Sequence, residues 1–230
     1  VLECMEKSAQ IYPNDPYVLS MVTFARSVPR RFGTNILTDR PRMDVARRAV
    51  QIENNSASAV FAVSQAAFFT GDCVTGATWG KRAVKLNPLD SRIMGYLGLS
   101  MFTCKMAEGD KYSSQALELD PNVDMSIAAI VALQKLKRGD ALGAQQLSKK
   151  YMELALRPQP GLELFYMLST AKLGDKSEAR VYWMRLITHF DLKVDASVRT
   201  LLSKWVSNPM LIDEIVVIFD EAFPVSDRSP

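Results

Sequence analysis

The chain has 230 residues, 48% of them hydrophobic and 23% charged, enough for one or two domains with a real core. Twenty-eight Lys and Arg against 25 Asp and Glu leave a formal charge of +3, too small to point to direct nucleic-acid binding by this stretch. The longest apolar run, Ile127–Leu133, is far short of the roughly 18 residues a membrane span requires.

In chain order, the first predicted element is a helix over Val1–Tyr12, where Leu2, Met5, Ala9 and Tyr12 recur every three or four residues. A helix that opens with neither a start methionine nor a cap predicts a fragment of a longer polypeptide. Helical pairs are then expected at 16–28 with 42–54, 56–70 with 72–87, 90–104 with 106–120, 123–138 with 140–156, and 161–173 with 175–190. Ser27–Pro41 inserts about a dozen residues into the first pair, a length that often belongs to a binding loop. From Asp191 the pattern changes, and Asp195–Trp205 and Pro209–Phe223 are expected to be capping helices.

An internal period underlies these pairs. Gly71-Asp72, Cys104-Lys105, Gly139-Asp140 and Gly174-Asp175 begin 33, 35 and 35 residues apart. Glycine ends a helix by entering the left-handed region, and the Asp after it can cap the next helix. Five residues after each pair begins stands a small residue, Gly76, Gly109, Ala144 or Ala179, where two helices can approach closely. Three further on stands a large one, Trp79, Tyr112, Leu147 or Tyr182. Pro88 and Pro121 then stop the second helix in the two best copies. Each hairpin can bury its apolar face only against a neighbour, so the expected architecture is an all-α solenoid.

This period and residue order resemble the tetratricopeptide repeat over roughly 1–190, most closely over Ser56–Asp175. The resemblance implies about five hairpins in a right-handed superhelix, capped by residues 191–230. The tail, a Leu-rich helix followed by Asn208-Pro209 and a helix reaching Ala222-Phe223-Pro224, is similar to the closing segment of bacterial multidomain regulators. In those, such repeats follow a winged-helix domain or a class III adenylate cyclase domain. The resemblance implies a non-enzymatic module that binds a protein, a peptide or its own upstream domain. The rivals are the regulatory part of a cyclase-type enzyme and a free-standing adaptor. Homo-oligomerisation is compatible with either, and no cofactor is expected.

Two candidate binding surfaces emerge. The resemblance puts Phe61, Gln65, Phe68, Met94, Met101, Leu133 and Leu164 on a concave, partner-binding groove. The same residues read equally well as packing between hairpins. The second surface is basic: residues 26–48 hold seven arginines, no lysine and two aspartates. Arg30, Arg31 and Arg40 in and beside the loop would dock an acidic partner through their planar guanidinium forks, unless the stretch is simply solvated. The C-terminal acids Asp213, Glu214, Asp220, Glu221 and Asp227 could attract a different surface of the same assembly.

Neither cysteines nor histidine point to chemistry. Cys4, Cys73 and Cys104 lack CxxC spacing and are odd in number, which predicts reduced thiols in a cytoplasmic protein. Cys73 and Cys104, at helix junctions, read as small buried hydrophobes. His189 is alone, so multi-histidine metal sites are excluded, and no nucleophile motif accompanies it. A helix-end histidine meeting terminal carbonyls is the expected role.

Overall fold

The computed structural model describes residues 2–27, 40–206 and 209–224. The chain forms two compact units, 1–120 and 121–230. In unit 1, α1 (Leu2–Ile11) packs on α2 (Pro16–Ser27), which pairs with α3 (Arg40–Ile52). Two further hairpins follow, α4 (Ala57–Phe69) with α5 (Cys73–Leu86) and α6 (Ser91–Thr103) with α7 (Gly109–Leu119). Unit 2 contains the hairpins α8 (Met125–Lys137) with α9 (Ala141–Leu154) and α10 (Pro160–Lys172) with α11 (Lys176–His189). Its last two helices are the five-residue α12 (Val198–Leu202) and α13 (Pro209–Ala222). No strand occurs among the described residues, and the helix pairs fall within a few residues of their expected places.

The turn chemistry is the expected one. Gly71, Gly139 and Gly174 have φ of 83°, 80° and 100°, in the left-handed region. The aspartate after each caps the next helix: Asp72 accepts from the Thr75 N–H at 3.0 Å, Asp140 from Gly143 at 2.8 Å and Asp175 from Glu178 at 2.9 Å. The Thr75 hydrogen bonds hold the Asp72 carboxyl below its ordinary range. The ammonium of Lys135, and then the Gly143 N–H, do the same for Asp140. In the copy without glycine, Lys105 takes the same turn at φ 58°. A side chain is disfavoured there, so Lys105→Gly is expected to raise the unfolding free energy by about 0.5–1 kcal/mol. Urea titration of the two proteins measures this directly.

Close helix approach also appears where small residues predict it. A Cβ on Gly76 would stand 2.7 Å from the Phe68 ring, and one on Gly109 would stand 2.7 Å from the Gly98 carbonyl oxygen. Ala144 and Ala179 are fully buried at the equivalent places. Around these contacts lies the core of unit 1: Val60 and Phe61 of α4, Ala77 and Ala83 of α5, and Ile93, Leu97 and Met101 of α6. Phe68, Trp79, Tyr96 and Tyr112 pack against it. Unit 2 buries Ile127, Leu133, Tyr151, Leu162, Leu164, Met167, Leu168 and Leu186.

The cysteine expectation is overturned. Cys73 and Cys104 are joined in a disulfide with Cα atoms 6.0 Å apart, and both are half-buried rather than buried thiols. Cys73 is the first residue of α5 and Cys104 follows the last residue of α6, so the bond ties one hairpin turn to the next. Their separation of 31 residues is close to the repeat period, which brings both onto the same edge of adjacent hairpins. Closing such a loop is worth about 3–4 kcal/mol on the chain-entropy account. Cys4 is free and exposed.

Candidate interaction surface

In unit 1 the groove candidates lie on α4 and α6, the first helices of the second and third hairpins, and the structure spends most of them on packing. Phe61, Met94 and Met101 are 6%, 5% and 1% exposed, and Gln65 is 9% exposed with its amide nitrogen 3.3 Å from Ser100 Oγ. In unit 2, Leu133 and Leu164 are likewise buried. Only Phe68 keeps a half-buried ring, and that ring lies on Gly76. The physical reason is visible in α4, where every residue from Ala59 to Ala67 is buried. Phe24 of α2 and Tyr96 of α6 meet edge to face with ring centroids 5.1 Å apart, and Arg92 of α6 points an Nη1 at Met21 Sδ of α2. Side chains from α2 and α6 therefore touch each other although α3, α4 and α5 lie between the two helices in sequence. Six of the seven groove residues are core residues here, and a partner cannot reach them while the hairpins stay packed.

The basic candidates divide differently. Arg30 and Arg31 lie outside the described residues, as does most of the insertion. Arg40, expected in or beside the loop and free of helix geometry, is instead the first residue of α3. Of the flanking arginines, Arg26 binds Glu6 Oε1 through Nε and Nη2 at 3.1 and 2.9 Å. Arg48 donates to Asn14 Oδ1 at 2.7 Å. Both tie helix α2 or α3 to the start of the unit, so they serve the fold before any partner.

The acidic tail is committed within its own unit. Glu214 pairs with Lys137 at the end of α8 (3.0 Å), Glu221 with Lys172 at the end of α10 (2.6 Å), and Asp213 with Arg199 of α12 (2.7 Å). Lys176 also donates to the Ala222 carbonyl and sits over the Phe223 ring. Helix α13 buries Ile212, Ile215 and Ile218 and sets Phe219 against Trp183 of α11. These acids fasten the last helix onto unit 2, which leaves them poorly placed to attract another surface; Asp227 lies outside the described residues.

His189 is the last residue of α11, its ring edge-on to Phe190, which stacks on Trp205. It borders a shallow depression along α11 with Arg180, Val181, Met184, Arg185 and Thr188, all on one helix. No group of three or more potential metal ligands occurs among the described residues. None of the helices described is long and apolar enough to cross a membrane.

One titratable group in unit 2 is strongly perturbed. Burial, together with its hydrogen bond to Glu178 Oε1 at 2.9 Å, pushes the Tyr166 phenol up to about 12. A raised folded-state pKa favours the protonated phenol, so its stabilising contribution is complete below pH 10. It is lost as pH climbs from the ordinary tyrosine range towards 12. Between pH 9 and 11.5 the urea midpoint of the native chain is expected to fall more than that of Tyr166→Phe. Equal falls would mean the phenol ionises freely in the folded state.

No family model and no curated protein sequence matches this chain. Among solved structures, that of the functional characterisation of Pseudomonas aeruginosa PilF aligns with a TM-score of 0.63 at 16% identity, over 83% of this chain and 83% of that chain. The structure of Naa15/Naa10 bound to HypK-THB aligns with a TM-score of 0.40 at 17% identity, over 96% of this chain and 33% of that chain. The likeness to PilF is one of fold: the chain is an all-α, tetratricopeptide-like solenoid.

Proposed function

We propose that this chain is a non-enzymatic protein-interaction module and that its docking surface is the arginine-bearing insertion between α2 and α3. The observation that supports this reading is the fate of the groove candidates: Phe61, Gln65, Met94, Met101, Leu133 and Leu164 are buried, each spent on packing within its own unit. The stretch around Arg30, Arg31 and Arg40 is the strongest remaining departure from average composition. Guanidinium groups in a long insertion suit an acidic protein or peptide, or an acidic face of a domain in the same polypeptide. The similarity of the tail to bacterial regulators supports a place in a larger regulatory protein, with a winged-helix or cyclase domain upstream. The cytoplasmic placement expected from the sequence rested on free thiols, and the Cys73–Cys104 bond removes that support.

The test compares two variants as bait in a pull-down read by mass spectrometry at low and high salt. Replacing Arg30, Arg31 and Arg40 together by Ala should leave the melting temperature within a degree or two, since exposed charges are worth about 0–1 kcal/mol. Partners captured by the native chain should be lost, along with their salt dependence. If Phe68→Ala loses them instead while the arginine variant retains them, the docking surface is the residual groove.

A further inference from the structure

We propose that the Cys73–Cys104 disulfide is a permanent staple of unit 1, and that the chain therefore matures in an oxidising compartment, with a disulfide-donating oxidoreductase as its partner in maturation. The inference goes beyond the docking reading above and does not depend on it.

Three features of the site point this way. The first is placement: the bond joins the turn of the α4–α5 hairpin to the turn of the α6–α7 hairpin, with Cα atoms at a separation natural for a bridge. A reduced pair at this spacing would leave two thiols facing each other across a seam. The second is mechanical. Helix α6 packs on α4 and α5 less extensively than α4 packs on α2 and α3, so this is the thinner junction of unit 1. The Lys81–Glu108 ion pair crosses the same junction. The third is the turn itself. Lys105 stands where the other repeats place glycine and adopts a left-handed conformation next to Cys104. The covalent tie holds in place a turn that the backbone alone disfavours.

The chemistry closes without a metal or a further oxidant. The thiolate of one cysteine attacks a sulfur of the donor's disulfide, forming a mixed disulfide and releasing the donor's first thiolate. The second cysteine, as thiolate, attacks the Sγ of the first, forming the Cys73–Cys104 bond and expelling the donor's other sulfur as a thiolate. The two cysteines lose two electrons and two protons in total, and the donor leaves as a dithiol. The spacing of 31 residues, with no CxxC pair, suits a substrate of such an exchange and not the enzyme that performs it.

The experiment uses the full chain in the cells that make it. Acid quenching, alkylation of free thiols and mass spectrometry should find one alkylated cysteine, Cys4, and three only after prior reduction. Three alkylated cysteines without reduction would overturn the proposal. The purified chain, equilibrated with glutathione, should keep the bond in mixtures where more than nine-tenths of the glutathione is reduced. Loss of the bond there would also overturn it. Hydrogen exchange then tests the staple: in Cys73→Ser/Cys104→Ser, protection of α6 and α7 should fall at least tenfold, with α10 of unit 2 unchanged. A folded double variant with native protection in α6 and α7 would show that the bond holds nothing. If that variant does not fold, the native chain reduced under native conditions gives the same comparison.

Discussion

Phe61→Ala is expected to lower the unfolding free energy by about 3–5 kcal/mol, the range for removing a buried phenylalanine from a close-packed core. Phe61 is 6% exposed and shares its cluster with Val60, Ala77, Ile93, Leu97 and Met101, drawn from three helices. The surrounding side chains come from different hairpins and cannot collapse into the gap without moving a helix, so a cavity is left. Denaturant titration measures the loss. A groove residue would behave otherwise: its truncation would weaken partner capture with little change in the unfolding midpoint. A stability loss under 1 kcal/mol would return Phe61 to the list of accessible groove residues.

Gly98→Val is expected to cost about 3 kcal/mol or more, at the upper end of the overpacking range. The Cβ would meet Ser113 Oγ and come within 2.5 Å of the Ser113 nitrogen and 2.7 Å of the Gly109 carbonyl oxygen. Two of those three atoms are backbone, so relief requires α6 and α7 to separate and not merely a rotamer change. Gly161→Ala in α10 is the control. Its Cβ would meet only Ala129 Cβ at 3.4 Å, ordinary contact. There the better helix propensity of alanine should dominate, and stability should rise by about 0.5–1 kcal/mol. If the two glycine substitutions behave alike, close approach of α6 and α7 is not what Gly98 provides.

What could be read from the sequence was what local chemistry decides. Asp72, Asp140 and Asp175 cap helices because a side-chain oxygen reaches the N–H three residues on, whatever lies beyond. Gly76 and Gly109 stand at helix contacts because the repeat places them there. The groove could not be read, because an apolar stripe fixes which face of a helix is buried only when the opposite face is polar. In α4 the run Ala59–Ala67 is buried all round, and 3.6-residue spacing has nothing left to discriminate. The disulfide escaped for a different reason. Motif spacing and cysteine parity were the wrong measures in a repeat protein; a separation near one period was the relevant one. The length of the insertion was legible, and a helix start near Arg40 was signalled by Asp39 with Pro41 just after it, but the repeat register placed the helix start two residues later.

The contact between Phe24 and Tyr96 has a consequence for how unit 1 comes apart. In an ideal solenoid each repeat touches only its immediate neighbours, so unfolding can proceed from one end as a series of small, separable steps. Here α2 and α6 belong to the first and third hairpins and are in direct ring contact. A coupling that skips one repeat turns a linear chain of states into a closed loop of three. Neither outer hairpin can fray without also loosening the other's aromatic partner, and the middle helix cannot be exposed while both remain in place. Partly open forms are penalised twice, and the amide groups of α2, α4 and α6 should exchange through a single cooperative opening and not through a gradient from the ends.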